Sequence, residues 1–257
     1  MKVLITAGGT SEKIDSVRSI SNMSTGRLGS LIADSFAVLP DIKEIYYVCN
    51  KAAILPQSGK VKKIYVDSVA SLEKMITDIL NGFNIDIIIH SMAVSDYRVG
   101  AVTSASNLAG LIVAQQRALE KISEQTAESI VTKLLNNSEP VMDGNGKISS
   151  DVDNMLLLME RTPKVISMFQ KISPKSILVG FKLLDTVPHE TLIDKAYHLL
   201  QANKCGLVLA NDLSEIDDDG HIGYLIDSDR NYQRFTTKQE IADGIVTATI
   251  RKRRNQQ

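Results

Sequence analysis

The run Lys2-Val3-Leu4-Ile5-Thr6-Ala7-Gly8-Gly9-Thr10, followed by Asn22-Met23-Ser24-Thr25-Gly26, decides how this chain is read. A short apolar run rich in β-branched residues, ending on two glycines, predicts a buried parallel strand that opens onto a ligand edge. In the second cluster a hydroxyl of Ser24 or Thr25 stands where it would cap a helix, and the first amides of that helix suit a phosphate. Together the clusters predict an anion-binding floor in a nucleotide-type α/β fold. Their spacing departs from the dinucleotide fingerprint, which opens a helix directly with Gly-x-Gly-x-x-Gly and sets an acidic residue about 20 positions on. Here a long segment separates the glycines from the helix, and the second predicted strand ends in Cys49-Asn50-Lys51 without a carboxylate for a ribose. An NAD(P)-binding Rossmann-like reductase is therefore the second choice, and the missing Walker pattern argues against a P-loop kinase.

Outward from that stretch, short apolar segments recur at Val3–Thr6, Glu44–Cys49, Lys63–Val66, Asp86–His90, Ser176–Phe181 and Gly206–Ala210. Helical periodicity lies between most of them. Gly26–Leu39 presents Leu28, Leu31, Ile32, Ser35 and Phe36 on one face, and Val69–Leu80 and His189–Ala202 repeat the pattern. Strands alternating with helices predict a Rossmann-like, doubly wound, mostly parallel sheet. Residues 97–150 interrupt the alternation, with a helix expected near 124–136 and a turn at Asp143-Gly144-Asn145-Gly146. So long an excursion reads as a flap or dimer arm inserted into one domain spanning 1–257. Residues 221–236 carry a hairpin signal, and Lys238–Arg251 a closing helix.

With 257 residues, 44% hydrophobic, 23% charged and a net charge of −1, the composition is that of a globular domain without a field for nucleic acid. No apolar run reaches the roughly 20 residues of a membrane span, and no leader is evident, so the cytoplasm is the expected location. Cys49 and Cys205 are far apart in apolar runs and read as buried thiols. The four histidines are scattered and read as structural or surface residues.

In an open α/β sheet, ligands sit at the carboxyl ends of the strands. The residues to weigh are therefore Gly8, Gly9 and Thr10, the segment Ser91–Asp96, Lys182 after Phe181, and Asn211 with Asp212. Glycines admit a ligand close to the backbone, and Asp96, Lys182 and Asn211 supply polar contacts.

These residues carry a family resemblance. Ile5–Thr10, Val17–Asn22 and Ser24–Gly29 resemble phosphopantothenoylcysteine synthetase, the phosphopantothenate–cysteine ligase. So do Ala93-Val94-Ser95-Asp96-Tyr97-Arg98, Lys147-Ile148-Ser149-Ser150, Thr162–Ile166, Val179–Lys182 and Leu209–Asp212. The resemblance covers nearly the whole chain. It implies a homodimeric ligase of coenzyme A biosynthesis that joins 4′-phosphopantothenate to L-cysteine, through an acyl-nucleotidylate with release of pyrophosphate. CTP is the expected nucleotide, ATP the alternative, and Mg²⁺ the expected cation, with no metal ligands assigned. The motifs begin at residue 5, so the stand-alone form is expected, without the fused decarboxylase and its flavin.

The resemblance also implies roles. Asn22 and Lys147 would be catalytic, with Asn22 serving acyl transfer and Lys147 serving nucleotidyl transfer. Gly8, Gly9, Ser24, Gly26, Asp96, Lys147, Phe181 and Lys182 would bind nucleotide. Arg18, Asn22, Ala93, Asp96 and Asn211 would bind phosphopantothenate, with Arg18 donated across the dimer. One departure stands out: two triphosphate-binding lysines of the family fall here on Leu199 and Asn203, leaving Lys182 and Lys195 as substitutes.

Overall fold

A computed structural model describes residues 1–114, 146–149, 151, 154–216 and 220–256. The helix expected near 124–136, most of the expected turn at 143–146, and Ser150 lie outside them. Two compact units form. One comprises Met1–Thr10, Asn22–Val94 and Lys164–Gln257, the other Ser11–Ser21 and Ser95–Pro163.

The first unit is built on β1 (Lys2–Ala7), β4 (Glu44–Cys49), β5 (Val61–Tyr65), β6 (Ile87–His90), β9 (Ile177–Leu184), β10 (Leu207–Asp212), β11 (Gly223–Ile226) and β12 (Tyr232–Phe235). These form one sheet in the order β12-β11-β10-β9-β6-β1-β4-β5. Pairing is parallel from β10 to β5, whereas β11 and β12 add an antiparallel edge. The expected hairpin is thus the rim of the main sheet.

Both faces of the sheet are covered, which is why its central strands read as continuous apolar runs. Side chains alternate across the pleat. Val3, Ile5, Ile45, Tyr47, Ile89, Val179 and Leu209 enter one core with helices α1 (Arg27–Ala37) and α6 (Lys238–Arg254). Leu4, Tyr46, Val48, Ile88, Leu178 and Val208 enter the other with α2 (Val69–Gly82), α4 (Ile166–Ile172) and α5 (His189–Asn203). Cys49 and Cys205 are buried and unpaired.

The inner face of α1 differs from the expected one. Gly29, Ser30, Ile32, Ala33, Phe36 and Ala37 are buried, while Leu28, Leu31 and Ser35 are only half-buried. The periodicity singled out large residues, but α1 sits on the sheet through small ones. A Cβ at Gly29 would lie 2.6 Å from the Cβ of Ala7. Ser35 instead meets α6, its hydroxyl donating to Asp243 at 2.7 Å.

The second unit holds two antiparallel pairs that the strand count missed. β2 (Ser11–Lys13) pairs with β3 (Ser19–Ser21), and β7 (Tyr97–Ser104) pairs with β8 (Met155–Arg161), with α3 (Ala105–Ala114) between those two strands in the sequence. An Arg98–Glu160 ion pair crosses β7 and β8.

Candidate active site

β1 pairs with β4 on one side and with β6 on the other, so the strand order reverses there and a crevice opens beyond the carboxyl ends of β1 and β6. The segments leaving those ends continue to pair. The Ala93 amide donates to the Gly8 carbonyl at 2.8 Å, and the Thr10 amide donates to the Ala93 carbonyl at 3.0 Å. A third segment joins this ladder: the Asn22 amide donates to the Thr10 carbonyl at 3.1 Å, and Asn22 Nδ2 donates to the Val94 carbonyl at 3.2 Å. Gly9 is the clearance that admits it, since a Cβ there would stand 2.1 Å from the Asn22 carbonyl oxygen. The exposed Asn22 side chain is thus positioned by backbone pairing.

Beyond Asn22 the chain enters α1 through Gly26, which holds φ at 70° and caps the helix without a side-chain hydrogen bond. The expected hydroxyl cap is not made. In the left-handed conformation that glycine tolerates, Gly26 occupies the capping position itself. Thr25 Oγ1 reaches only the Arg27 amide, at a long 3.4 Å. Apart from that long bond the first turn has no side-chain cap, and with the positive end of the helix dipole its amides favour an anion.

That first turn lines a cavity of about 410 Å³. Ser24–Gly29 form one wall, Ser91–Ala93 another, and Phe181, Lys182, Asn211, His221 and Lys238 complete it. The volume is within the range of small-molecule sites. Six of the expected residues thus meet along one cavity or its ladder: Asn22, Ser24, Gly26, Ala93, Phe181 and Lys182, with Asn211 a seventh. Gly8 and Gly9, expected to touch nucleotide, are not among the cavity's lining residues and pair instead with Ala93 in the ladder.

Asn211 has a defined orientation. Its Nδ2 donates to the Ile222 carbonyl at 2.6 Å and faces His221 Nε2 at 3.2 Å. A carbonyl can only accept, so the amide cannot be flipped, and Nε2 must accept the second N–H. His221 is therefore neutral with its proton on Nδ1, consistent with a pKa pushed down to about 4 by burial and by Lys238. Both N–H groups of Asn211 are spent, and its oxygen is the acceptor available toward the cavity. His221 and Lys238 were not expected here. They belong to the edge hairpin and the closing helix, and no motif connects them to the site.

Asp212, the neighbour of Asn211, holds the loops above the site. Its carboxylate accepts from the amides of Thr186, Val187 and Ser214, and from the Ser214 hydroxyl at 2.6 Å. The Ser214 hydroxyl and the backbone amides hold its pKa well below the usual carboxylate range. A depressed folded-state pKa means that this stabilisation is present above the unfolded value near 4 and fades as pH falls toward the folded one. Asp212→Asn is expected to lower the thermal midpoint at pH 7. Its gap to the wild-type chain should narrow below about pH 4, a trend that thermal unfolding between pH 2 and 7 checks.

Arg18, Asp96 and Lys147 belong to the second unit. Asp15 and Arg18 are linked by the turn between β2 and β3. Asp15 Oδ1 accepts from the Val17 amide at 2.8 Å and the Arg18 amide at 2.7 Å, and Oδ2 accepts from Arg18 Nε at 2.9 Å and the Ile148 amide at 3.2 Å. Burial pushes the Asp15 carboxyl up, but these donors outweigh it and hold it well below its ordinary range. Arg18 Nη2 also donates to the Ile148 carbonyl at 3.0 Å. Lys147 is exposed beside the buried Ile148. Asp96 is exposed as well, and its carbonyl accepts from the Thr162 amide at 3.0 Å, while the Thr162 hydroxyl donates to the Ser95 carbonyl.

The substituted positions on α5 are spent on the fold. Leu199 packs on the second core, and Asn203 Nδ2 turns back to the Leu199 carbonyl at 3.0 Å. Of the two substitutes, Lys182 lines the cavity, while Lys195 is exposed on α5. Tyr47 and Lys51 have the Tyr-x-x-x-Lys spacing of a short-chain reductase. Yet Tyr47 is fully buried in β4, its hydroxyl donates to the carbonyls of Gly26 and Ile54, and burial raises its pKa, the reverse of what a reductase tyrosine needs. Among the described residues no group of three or more His, Cys, Asp or Glu could hold a metal ion. Among them, too, no helix is long and apolar enough to cross a membrane.

Comparison with known proteins bears on this site. The model of the DNA/pantothenate metabolism flavoprotein C-terminal domain matches residues 1–108 and 138–252. The coenzyme A biosynthesis bifunctional protein CoaBC of Methanocaldococcus jannaschii is 28% identical over 95% of the chain and 49% of its own length. That of Thermococcus kodakarensis is 27% identical over 94% and 49%. The chain thus spans about half the length of the curated relatives it matches. The crystal structure of the DNA/pantothenate metabolism flavoprotein from Streptococcus pneumoniae superposes with a TM-score of 0.76 at 31% identity, covering 96% of this chain and 97% of that one. A Cab2 mutant in complex with phosphopantothenate-cysteine shares the fold, with a TM-score of 0.65 at 16% identity over 99% and 86%.

Proposed function

The chain belongs to the DNA/pantothenate metabolism flavoprotein C-terminal domain family, and from that premise we propose that it is a phosphopantothenate–cysteine ligase acting through an acyl-nucleotidylate. The observation that carries this reading is the joint placement of an uncapped helix N-terminus and a ladder-held Asn22 at one switch-point crevice. The Cab2 complex supports the choice of substrates.

In the first step a carboxylate oxygen of 4′-phosphopantothenate attacks the α-phosphorus of the nucleotide. The bond from that phosphorus to the bridging oxygen breaks, and pyrophosphate leaves. The α1 amides and Lys182 hold the anionic phosphates, and Lys147 supplies positive charge where the leaving group gains its own. In the second step the cysteine amine attacks the acyl carbon, the acyl–phosphate C–O bond breaks, and the nucleoside monophosphate leaves. Asn22 Nδ2 donates to the oxygen on which charge gathers. Phe181 stacks on the base, and Ala93 and Asp96 hold the pantothenoyl group. Mg²⁺, when bound with the nucleotide, would lower the charge on the phosphates. The working unit is a cytoplasmic homodimer in which Arg18 binds the phosphate of the substrate across the interface.

The Asn211 oxygen accepts a hydrogen bond from an amide N–H of the pantothenoyl group. CTP is the preferred nucleotide on the family resemblance, with ATP second.

One assay tests the reading. Pyrophosphate release is measured with phosphopantothenate and each of the four nucleotides, with and without cysteine. The expected result is about one pyrophosphate per site without cysteine, and turnover with it, for CTP or ATP. Silence with all four nucleotides, together with micromolar NADPH binding, would favour the reductase instead.

A further inference from the structure

We infer that Asp15 is a positioning residue that sets the substrate-binding Arg18 and the catalytic Lys147 through a single buried carboxylate. The inference rests on the ligase reading of those two residues but adds a component that reading does not contain.

The geometry is specific. The Asp15 side chain is fully buried, and Arg18 Nη2 lies 2.7 Å from Oδ2. Oδ1 ties down the backbone of residues 17 and 18, and Oδ2 takes the Arg18 guanidinium and the Ile148 amide. Arg18 closes the circuit by donating to the Ile148 carbonyl. Both backbone polar groups of Ile148 are therefore fixed by this pair, 133 residues away from Asp15 in the chain. Ile148 is itself buried, only 1% exposed. Lys147, one residue earlier, is exposed. Its place is thus dictated by what holds Ile148, and what holds Ile148 also aligns the guanidinium. A carboxylate suits the task because its two oxygens accept from several donors at once, and a buried charge so satisfied is rigid.

The decisive variant is Asp15→Asn. It keeps one oxygen for the turn amides, but sets an NH₂ against the guanidinium and the Ile148 amide, which are both donors. Asp15→Ser is the second variant; its hydroxyl can cap the same turn while losing the second oxygen altogether. If both variants unfold like the parent chain, each is expected to slow pyrophosphate release at saturating substrate roughly 10- to 100-fold. Each should also raise KM for phosphopantothenate about tenfold, and amide exchange at residues 146–149 should rise while β1 and β6 stay protected. In a Lys147→Gln background Asp15→Asn should add little to the loss in turnover, and in an Arg18→Lys background little to the rise in KM. Fully additive losses, or unchanged exchange at 146–149, overturn the inference. If Lys147→Gln and Arg18→Lys are themselves silent while exchange does rise in Asp15→Asn, the ligase roles fail and the inference falls with them, even though the carboxylate is seen to hold the segment.

Discussion

Gly9→Ala is expected to lower ligase activity at least 100-fold and the thermal midpoint by several degrees. The new methyl would stand 2.1 Å from the Asn22 carbonyl oxygen, closer than any real carbon sits. The obstacle is backbone, so no side-chain rotation relieves it. Either the Asn22 segment leaves the ladder or the strand end of β1 shifts, and overpacking of this kind costs about 1–3 kcal/mol. For a chain of this size each kcal/mol is worth about 2–4 °C. The loss of activity should exceed the loss of stability, because displacing a catalytic group by about 1 Å can cost two orders of magnitude. Gly59→Ala is the matched control: nothing lies within 4 Å of a Cβ at that position, and both readouts should stay at parental values. A Gly9→Ala enzyme with parental turnover would show that the ladder does not position Asn22 for chemistry.

Asn22→Asp and Lys147→Gln should divide the reaction between them. Asn22→Asp replaces the donor that pairs with Val94 by an oxygen and sets a negative charge where charge must gather. Pyrophosphate should still appear, at most once per site, and acyl-nucleotide should accumulate to be trapped by hydroxylamine. Turnover with cysteine is expected to fall about 100- to 1000-fold, the effect of removing one oxyanion donor. Lys147→Gln keeps length and polarity but removes the charge at the leaving phosphates, so pyrophosphate release itself should fall by a similar factor and no acyl-nucleotide should build up. Rapid-quench measurement of both products separates the outcomes. Equal accumulation of intermediate in both variants would remove the division of labour proposed for them.

The doubly wound sheet was legible because its strands are buried on both faces and its glycines mark their ends. The limits of legibility are equally physical. Met155–Arg161 is a strand whose apolar run does not alternate, and Ser11–Lys13 and Ser19–Ser21 are too short to carry a period. The α1 face was misjudged because small residues make its closest contacts. At the site, Asn22, Phe181, Lys182 and Asn211 could be read because they sit in motifs near the carboxyl ends of strands, although β9 and β10 run on through Lys182 and Asn211, which were expected just beyond them. Asp15 and His221 could not. Asp15 acts on a residue 133 positions away, and His221 acts by fixing the orientation of an amide on another strand. Neither leaves a local pattern.

The floor of the cavity also sets how far this protein can be re-engineered. A Cβ on Gly26 would meet the Gly8 amide nitrogen at 3.1 Å, and a Cβ on Gly9 would meet Asn22. Each glycine is thus the room that another segment occupies. Substitutions in the floor should be strongly epistatic, and a library that varies these positions one at a time will return mostly dead clones. The rim formed by Phe181, Lys182, His221 and Lys238 contributes side chains rather than clearance. Selection for a different nucleotide is best begun there, leaving the glycines as the invariant chassis.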